Sequence, residues 1–130
     1  MTIAIPTIGR VKFFKQALNS AKNQVYSNIE IIISDNASQD ETQKFCENFV
    51  QDKRVKYYRH EKRLSMVDNW NFLISKSSGE YFLLLSDDDI LDEKILNKII
   101  NGFEKYKNKN VSVAFCLVNF IDDNGNITST

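Results

Sequence analysis

Residues 81–89 read Tyr-Phe-Leu-Leu-Leu-Ser-Asp-Asp-Asp, a run of five apolar positions that leads through one serine into three carboxylates. The short apolar run predicts a strand that is buried on both faces. Two unit charges roughly 4 Å apart repel by about 4 kcal/mol at an effective dielectric of about 20, so the acids need a shared cation, hydrogen-bond donors or a raised pKa. The triplet therefore indicates either a site for Mg²⁺ or Mn²⁺, which prefer oxygen ligands, or a solvated acidic turn before a helix.

The composition is that of an ordinary globular protein. The chain has 130 residues, of which 42% are hydrophobic and 26% are charged, and this predicts a single domain over residues 1–130. Its 17 basic and 17 acidic residues cancel, which gives no electrostatic case for nucleic acid. No signal peptide or membrane span is recognisable, and Cys46 and Cys116 are predicted to be reduced core thiols. We therefore expect a cytoplasmic protein.

Strands and helices are predicted to alternate along the chain. Apolar runs predict strands at 2–6, 30–34, 55–59, 81–85 and 111–120. Helical spacing predicts four helices. The first spans residues 10–24, and the second is capped by Ser38 and Glu41 and buries residues up to Val50. The third buries Met66, Trp70, Leu73 and Ile74 and ends at Gly79, and the fourth buries Ile95 to Phe103. Residues 122–126 are predicted to form a turn that begins a hairpin. This order implies an α/β fold with a mostly parallel sheet and helices on both faces.

Polar residues follow three of the predicted strands. They are Pro6-Thr7, Ser34-Asp35-Asn36 and the segment 86–89. In parallel sheets ligands bind beyond the carboxyl ends of the strands, so we expect Thr7, Asp35 and Asp88 to line one cleft. The alternative for Asp35 and Asn36 is a plain Asx turn that leads into the next helix.

Together these segments resemble the nucleotide-binding half of family 2 glycosyltransferases with the GT-A fold. The resemblance lies in residues 3–7 (Ile-Ala-Ile-Pro-Thr), 30–40 and 78–89, and it extends over nearly the whole chain. It implies a Rossmann-like α/β fold, a nucleoside diphosphate sugar as donor, a glycan or lipid-linked acceptor, and Mn²⁺ or Mg²⁺ as cofactor. It also implies inverting transfer in bacterial surface polysaccharide synthesis, with the full-length enzyme at the inner face of the membrane.

The resemblance assigns roles to individual residues. It implies that the donor nucleotide contacts Pro6, Thr7, Asp35, Asn36, Arg63 and Asp87, and that the metal is held by Asp88 and Asp89. In this interpretation Asp88 is the principal metal ligand, and Arg63 meets a phosphate. The nucleotide is expected to be of the uridine or deoxythymidine type.

The chain departs from the family pattern at four places. Ile8-Gly9 replace a Tyr-Asn pair and remove an aromatic ring, Asn36 replaces a second aspartate, and Ser86 replaces the first acid of the metal motif. The catalytic base of the family lies in a later part of the domain, so it is expected beyond Thr130. The chain is therefore predicted to be an N-terminal part that binds donor without efficient transfer.

Several other classes of protein also use alternating strands and helices. A phosphate-receiver domain and an aspartate phosphatase are excluded because both need an acidic residue after the first strand, where this chain has Pro6-Thr7. A dinucleotide-binding domain is excluded because it needs several glycines after that strand, and this chain has Gly9 alone there. The alternative that stays open is a non-catalytic nucleotide-binding or assembly module on a degenerate transferase fold. His60 is predicted to be solvated, with a catalytic role as the alternative, and Trp70 is predicted to belong to the core, with a platform for the sugar as the alternative.

Overall fold

The computed structural model describes residues 1–49, 51–122 and 125–129. Its elements are β1 (Thr2–Thr7), α1 (Val11–Lys22), β2 (Glu30–Asp35), α2 (Thr42–Glu47), β3 (Val55–Arg59), α3 (Met66–Lys76), β4 (Phe82–Leu84), α4 (Ile95–Lys105), a 3-10 turn (Lys107–Lys109), β5 (Phe120–Ile121) and β6 (Ile127–Ser129). They fall into two compact units, of which the first is Met1–Leu96. Within the described ranges, no helix has the length and apolar character that crossing a membrane requires.

The first unit contains a four-stranded sheet in the order β3-β2-β1-β4, with every pair parallel. Ile3 of β1 lies opposite Ile31 of β2 and Leu83 of β4. Because parallel strands place their carboxyl ends at the same edge, Thr7 of β1 pairs with Asp35 of β2, which pairs with Arg59 of β3. The α/β class and the parallel sheet are confirmed.

The core lies on both faces of this sheet. Helix α1 buries the predicted face against one side, in a cluster that includes Phe14, Ala17, Leu18, Ala21, Ile3, Ile5, Ile31 and Ile33. On the other side, Leu73 of α3 packs on Ala4 and Ile32. Successive side chains of a strand point to opposite faces, so the isoleucine-rich strands supply apolar surface to both helical layers.

Strand β4 is shorter and less buried than predicted. It spans three residues, Phe82–Leu84, and Phe82 is 38% exposed. In the described part of the chain β4 pairs with β1 alone, so it forms an edge of the sheet. Leu85 just beyond it is buried, and its amide donates to the carbonyl of Ala4 at 2.9 Å.

Two predicted helix ends are wrong. Helix α2 begins at Thr42, whose amide donates to Asp40 Oδ1, while Ser38 Oγ accepts from the amide of Gly9. The Ser38–Glu41 capping box does not form because Ser38 is bonded elsewhere, and Val50 lies outside the described residues. Helix α3 ends at Lys76, before Gly79.

Gly79 is required by a close approach to β1. A Cβ atom at this position would lie 2.6 Å from the amide nitrogen of Thr2 and 2.8 Å from the carbonyl carbon of Met1. The Gly79 amide donates to Thr2 Oγ1 and to Glu30 Oε1, so the entry to β4 is bonded to side chains of β1 and β2.

The buried face of α3 differs from the predicted one. Met66, Trp70 and Ile74 are 62%, 37% and 55% exposed, whereas Asn69 and Leu73 are buried. Asn69 Oδ1 accepts a hydrogen bond from Ser34 Oγ on β2, so the helix face that meets the sheet combines this polar contact with the buried Leu73. The prediction that Trp70 belongs to the core is therefore wrong.

The second unit contains most of α4, from Asn97 onward, the 3-10 turn and the β5–β6 hairpin. The hairpin agrees with the prediction of a hairpin start, and the Asp122 carbonyl accepts from the amide of Gly125, whereas residues 123 and 124 of the predicted turn lie outside the described residues. No strand forms over residues 111–119, where Phe115 and Leu117 are each 93% exposed. The run has strand propensity, but no described strand lies beside it to complete a ladder. Cys116 is exposed, contrary to prediction, whereas Cys46 is buried as expected.

Candidate functional site

A cavity of about 460 Å³ opens at the carboxyl edge of the sheet in the first unit. Loops after β1, β2, β3 and β4 and the first turns of α3 form its wall, which consists of Pro6, Thr7, Ile8, Arg10, Asn36, Arg63, Leu64, Met66, Asn69, Trp70, Leu84, Ser86, Asp87 and Asp89. Its volume is in the range of small-molecule sites.

Most of the predicted site residues meet at this cavity. Those on its wall are Pro6, Thr7, Asn36, Arg63, Asp87 and Asp89. Asp35 and Asp88 lie at the same edge of the sheet without being part of this wall, and their contact with a ligand stays a prediction. The sequence interpretation did not select Ile8, Asn69 or Leu84 for the wall, and it favoured the core over a sugar platform for Trp70.

Asp35 does not line the cavity because its carboxylate is fully buried. Oδ2 accepts from Tyr57 Oη at 2.6 Å and lies 3.5 Å from Arg59 Nε, and Oδ1 accepts from the amide of Ser38 at 2.8 Å. Burial and the Asp35 contact raise the pKa of Tyr57. In this conformation Asp35 holds the turn after β2, which agrees with the Asx-turn alternative.

Asn36 connects that turn to the loop that carries Arg63. Its Oδ1 accepts from the amide of Leu64 at 2.7 Å, and its Nδ2 donates to the Leu64 carbonyl at 3.1 Å. Among the described residues, the Arg63 guanidinium has no hydrogen bond or ion pair. Arg63 therefore brings an unpaired positive charge to the cavity wall.

Asp87 joins the ends of two strands. Its side chain is 1% exposed, and Oδ2 accepts from Thr7 Oγ1 at 2.8 Å. The other oxygen, Oδ1, accepts from Arg10 Nη2. These donors satisfy a buried carboxylate that burial alone would make unfavourable.

Arg10 is the cation that the acidic triplet requires, and the sequence interpretation did not select it. Its Nη2 contacts Asp87, and its Nη1 donates to Asp88 Oδ2 at 2.8 Å. Arg10 directly precedes α1, which follows β1 without an intervening strand, and β1 pairs with β4. The signal that could have identified Arg10 is its position just after β1, the strand that pairs with β4, because the acidic triplet follows β4.

Gly9 sets the direction of the chain into Arg10. Its φ of +64° lies in the left-handed region, and its amide donates to Ser38 Oγ at 2.9 Å. Glycine adopts this region without strain, and asparagine is among the few other residues that do so. The replacement of a Tyr-Asn pair by Ile8-Gly9 therefore removes the aromatic ring but keeps a residue suited to the turn.

The three carboxylates of the triplet differ in their electrostatics. A hydrogen bond from Ser86 and, beyond it, the positive charge of Arg10 lower the pKa of Asp88. Partial desolvation, with the negative charges of Asp88 and Asp87, raises the pKa of Asp89. Within the described residues the Asp89 carboxylate accepts no hydrogen bond, so it is the unpaired acid on the cavity wall.

The carboxylate oxygens at this edge of the sheet are the kind of ligand that a hard divalent ion prefers, but they are not placed around a common point. In the described part of the chain, no group of three or more His, Cys, Asp or Glu side chains is placed to hold a metal. Asp88 and Asp89 nevertheless supply carboxylate oxygens, the ligands that Mg²⁺ and Mn²⁺ prefer. Asp89 is open to the cavity, whereas both oxygens of Asp88 accept hydrogen bonds, from Ser86 and Arg10. These two residues fit the ion if Arg10 leaves Asp88.

A polar cluster of the buried Ser34 and Asn69 and the partly buried His60 lies next to the cavity, under α3. Ser34 Oγ lies 2.8 Å from His60 Nε2 and donates to Asn69 Oδ1. The His60 ring packs edge-on against Phe72, with their centroids 4.6 Å apart. His60 is therefore a structural residue of the β3–α3 connection, and the prediction of a solvated side chain is wrong.

The sequence of the chain matches a known family. The model of "Glycosyl transferase family 2" matches residues 2–128, so the chain belongs to this family. The Streptococcus pneumoniae glycosyltransferase GlyG is 27% identical over 128 residues, which cover 97% of this chain and 42% of that protein. A Campylobacter jejuni protein named GalNAc(5)-diNAcBac-PP-undecaprenol beta-1,3-glucosyltransferase is 32% identical over 93 residues, which cover 70% of this chain and 30% of that protein.

Solved structures share the fold. S. aureus TarS 1-349 in complex with UDP superposes with a TM-score of 0.76 at 20% identity, over 82% of this chain and 32% of that one. A mannosyltransferase from Pyrobaculum calidifontis in complex with GDP-Man and Mn²⁺ gives a TM-score of 0.71 at 17% identity, over 78% and 31% of the two chains. The predicted GT-A fold is thereby confirmed. The chain spans about two fifths of the length of GlyG and a third or less of these solved chains.

Proposed function

We propose that this chain is the donor-binding part of an enzyme that transfers a sugar from a nucleoside diphosphate sugar to a glycan or lipid-linked acceptor. The observation that carries the proposal is the cavity itself, where the guanidinium groups of Arg10 and Arg63 and the carboxylates of Asp87 and Asp89 meet beyond the carboxyl ends of parallel strands. Family membership supports it, as do the nucleotides named in the solved neighbours.

The residues of the cavity divide the work of binding. Arg63, which has no partner among the described residues, is placed to donate to diphosphate oxygens with the fork geometry of a guanidinium. Pro6, Ile8 and Trp70 offer apolar surface for the base or the sugar ring. Thr7 orients Asp87 through its hydroxyl, and Asn36 fixes the loop of Arg63 through Leu64.

Asp88 and Asp89 are the residues that would hold Mn²⁺ or Mg²⁺. When bound, the ion supplies positive charge to the diphosphate that leaves in an inverting displacement. The acceptor hydroxyl also needs a general base, and we infer that this base lies beyond Thr130. By analogy with the undecaprenol-linked compound in the name of the C. jejuni relative, we propose a role in bacterial surface polysaccharide synthesis at the cytoplasmic face of the membrane.

A nucleotide-binding module without transferase activity is the second candidate. The observation that favours it is Arg10, which already neutralises Asp87 and Asp88 and could replace a metal there. Such a module would bind nucleotide equally well with and without a divalent ion. The two candidates therefore differ in a measurable metal dependence.

The test is calorimetric titration of UDP, dTDP and GDP, each with Mn²⁺ and with a chelator. Trp70, the single tryptophan of the chain, lies on the cavity wall and gives an independent fluorescence signal. We expect binding that weakens at least about tenfold on chelation, and Arg63→Gln should weaken it by a similar factor because a charged hydrogen bond contributes about 1.5–3 kcal/mol. Lys62→Gln removes the adjacent exposed charge, which does not line the cavity, and should have little effect.

Three results would count against the proposal. Affinity that is equal with and without chelator would favour the metal-independent module. No binding of any of the three nucleotides would contradict both candidates. A protein extended past Thr130 that binds a nucleotide sugar but transfers it to no glycan or lipid-linked acceptor would remove the enzymatic part.

A further inference from the structure

Arg10 occupies oxygen atoms that the predicted metal ion would use. Its Nη1 donates to Asp88 Oδ2 at 2.8 Å, and its Nη2 contacts Asp87 Oδ1. The other oxygen of Asp88 accepts from Ser86 Oγ. Asp88 thus has no oxygen without a donor, although it is the residue that the sequence selects as principal metal ligand.

The position of Arg10 allows it to change partners. Its side chain is 45% exposed and that of Asp88 is 46% exposed, whereas Asp87 is 1% exposed. The contact with Asp88 is therefore open to solvent and is the weaker of the two by burial. Arg10 also lines the cavity, so an anion bound there would offer its guanidinium another acceptor.

A divalent ion on Asp88 and a guanidinium on the same carboxylate compete for oxygen lone pairs and repel each other. Guanidinium groups pair with phosphate oxygens as readily as with carboxylates, often through two parallel hydrogen bonds. A diphosphate in the cavity can therefore remove Arg10 from Asp88 and free the oxygen that the metal needs.

We propose that Arg10 is a positioning residue that couples metal binding to nucleotide binding: it holds Asp88 in the nucleotide-free chain and transfers its contact to the diphosphate when nucleotide arrives. This inference rests on the proposed function. It makes the chain a weak metal binder alone and a stronger one with nucleotide. Because linkage is reciprocal, the metal must raise nucleotide affinity by the same factor.

The test measures Mn²⁺ binding by electron paramagnetic resonance and calorimetry, without nucleotide and with whichever of UDP, dTDP and GDP binds best. Arg10→Gln should bind Mn²⁺ about five- to tenfold more tightly than the unmodified chain when nucleotide is absent, because the competing cation is gone. The factor by which nucleotide raises Mn²⁺ affinity should fall correspondingly. Circular dichroism checks that the variant is folded.

Two further variants make the result specific. Lys12→Gln removes an exposed positive charge two residues away that contacts the Phe13 ring and neither carboxylate, so its Mn²⁺ affinity should stay within about twofold of the unmodified chain. Arg10→Lys keeps the charge but loses the planar guanidinium that spans Asp87 and Asp88. Its Mn²⁺ affinity should therefore lie between those of Arg10→Gln and Lys12→Gln.

The outcomes separate this inference from the proposed function. Unchanged or weaker Mn²⁺ binding by a folded Arg10→Gln would overturn the inference, because Arg10 would then support the metal ligands instead of competing for them. An equal gain in Lys12→Gln would overturn it in favour of a general charge effect. Metal-independent nucleotide binding would overturn the inference and leave the nucleotide site intact, and a chain that binds neither Mn²⁺ nor nucleotide would overturn both.

Discussion

Three identical side chains in a row have three different chemical environments here. Asp87 is buried under Thr7 and Arg10, Asp88 is exposed but paired with Arg10 and Ser86, and Asp89 is open to the cavity. Donors offset the mutual repulsion of the acids at the first two, whereas at the third desolvation and that repulsion raise the pKa. A single arginine therefore decides which carboxylate stays available for a ligand.

The raised pKa of Asp89 makes a prediction about stability. The folded state holds the proton of Asp89 more tightly than the unfolded state does. Protonated Asp89 therefore contributes to the free energy of unfolding below the ordinary pKa of 3.8, and this contribution is lost as the pH rises through the pKa of the folded state. Asp89→Asn should therefore raise the free energy of unfolding at pH 7, by no more than about 1 kcal/mol at so exposed a position. Urea titrations between pH 3 and pH 7 measure the difference, which should vanish at the acid end.

Asp88→Asn is the matched control for Asp89→Asn, since the pKa of Asp88 is lowered. Its contribution is present above 3.8 and is lost as the pH falls, so the substitution should destabilise the chain at pH 7. Equal signs for the two variants would contradict the assigned environments.

The sequence could predict that the triplet needs positive charge, but it could not tell which cation supplies it. A metal and a guanidinium satisfy the same electrostatic requirement, and Arg10 is distant in the chain, so its contact with Asp88 depends on the pairing of β1 with β4. Asp35 shows the same limit. The motif places it at the correct sheet edge, but the orientation of its carboxylate depends on Tyr57 and Arg59, which arrive with β3.

Among the elements, α3 shows that periodicity identifies a helix more reliably than it identifies the buried face. Apolar spacing predicts a buried face of Met66, Trp70, Leu73 and Ile74, but Leu73 alone among these four is buried, next to Asn69, which bonds Ser34 on the sheet. Ser34 Oγ also lies 2.8 Å from His60 Nε2, so the buried polar atoms beneath α3 have hydrogen-bond partners. The displaced residues Met66 and Trp70 become part of the cavity wall.

Substitutions on α3 test this assignment directly. Leu73 is fully buried, so Leu73→Ala should lower the free energy of unfolding by about 2–5 kcal/mol. Trp70 is 37% exposed, so Trp70→Ala should cost less than about 1.5 kcal/mol and should instead weaken nucleotide binding. Urea unfolding followed by circular dichroism measures both, because fluorescence is lost with Trp70. A larger loss of unfolding free energy for Trp70→Ala than for Leu73→Ala would show that Trp70 belongs to the core.

The two glycines 79 and 102 offer a matched pair for the entry to β4. A Cβ atom on Gly79 would meet backbone atoms of Thr2 and Met1 at 2.6–2.8 Å, so Gly79→Ala should destabilise the chain by about 1–3 kcal/mol. Gly102 lies inside α4, where an added methyl group would have no neighbour within 4 Å, and Gly102→Ala should stabilise by up to about 1 kcal/mol through helix propensity. Thermal unfolding ranks the pair, and a tolerated Gly79→Ala would refute the close-approach account.

Strands were predictable where a partner strand exists. The runs at β1, β2 and β3 lie in one parallel ladder, and each forms within a residue of its predicted bounds. Residues 111–119 have similar apolar character but no strand beside them in the described part of the chain, and they form none. Propensity favours an extended backbone, whereas the ladder that defines a strand depends on a neighbour that the local sequence does not specify.

The division into two units separates the candidate site from the exposed apolar segment. Every residue of the cavity wall falls within residues 1–96, the first unit. The second unit contains Val113, Phe115 and Leu117, which are 61%, 93% and 93% exposed. The residues that bind a ligand and the residues that expose apolar surface should therefore be separable by truncation.

A chain that ends at Asn110 keeps α4 and the 3-10 turn and removes residues 111–130. Because the cavity wall is complete within residues 1–96, we expect its nucleotide dissociation constant to stay within roughly threefold of the full chain, a difference below about 1 kcal/mol. Loss of the exposed side chains at 113, 115 and 117 should reduce binding of the dye ANS, which reports exposed apolar surface. Calorimetry and ANS fluorescence on the two chains give both quantities. A loss of nucleotide affinity beyond tenfold, with the secondary structure retained, would mean that the second unit contributes to the site.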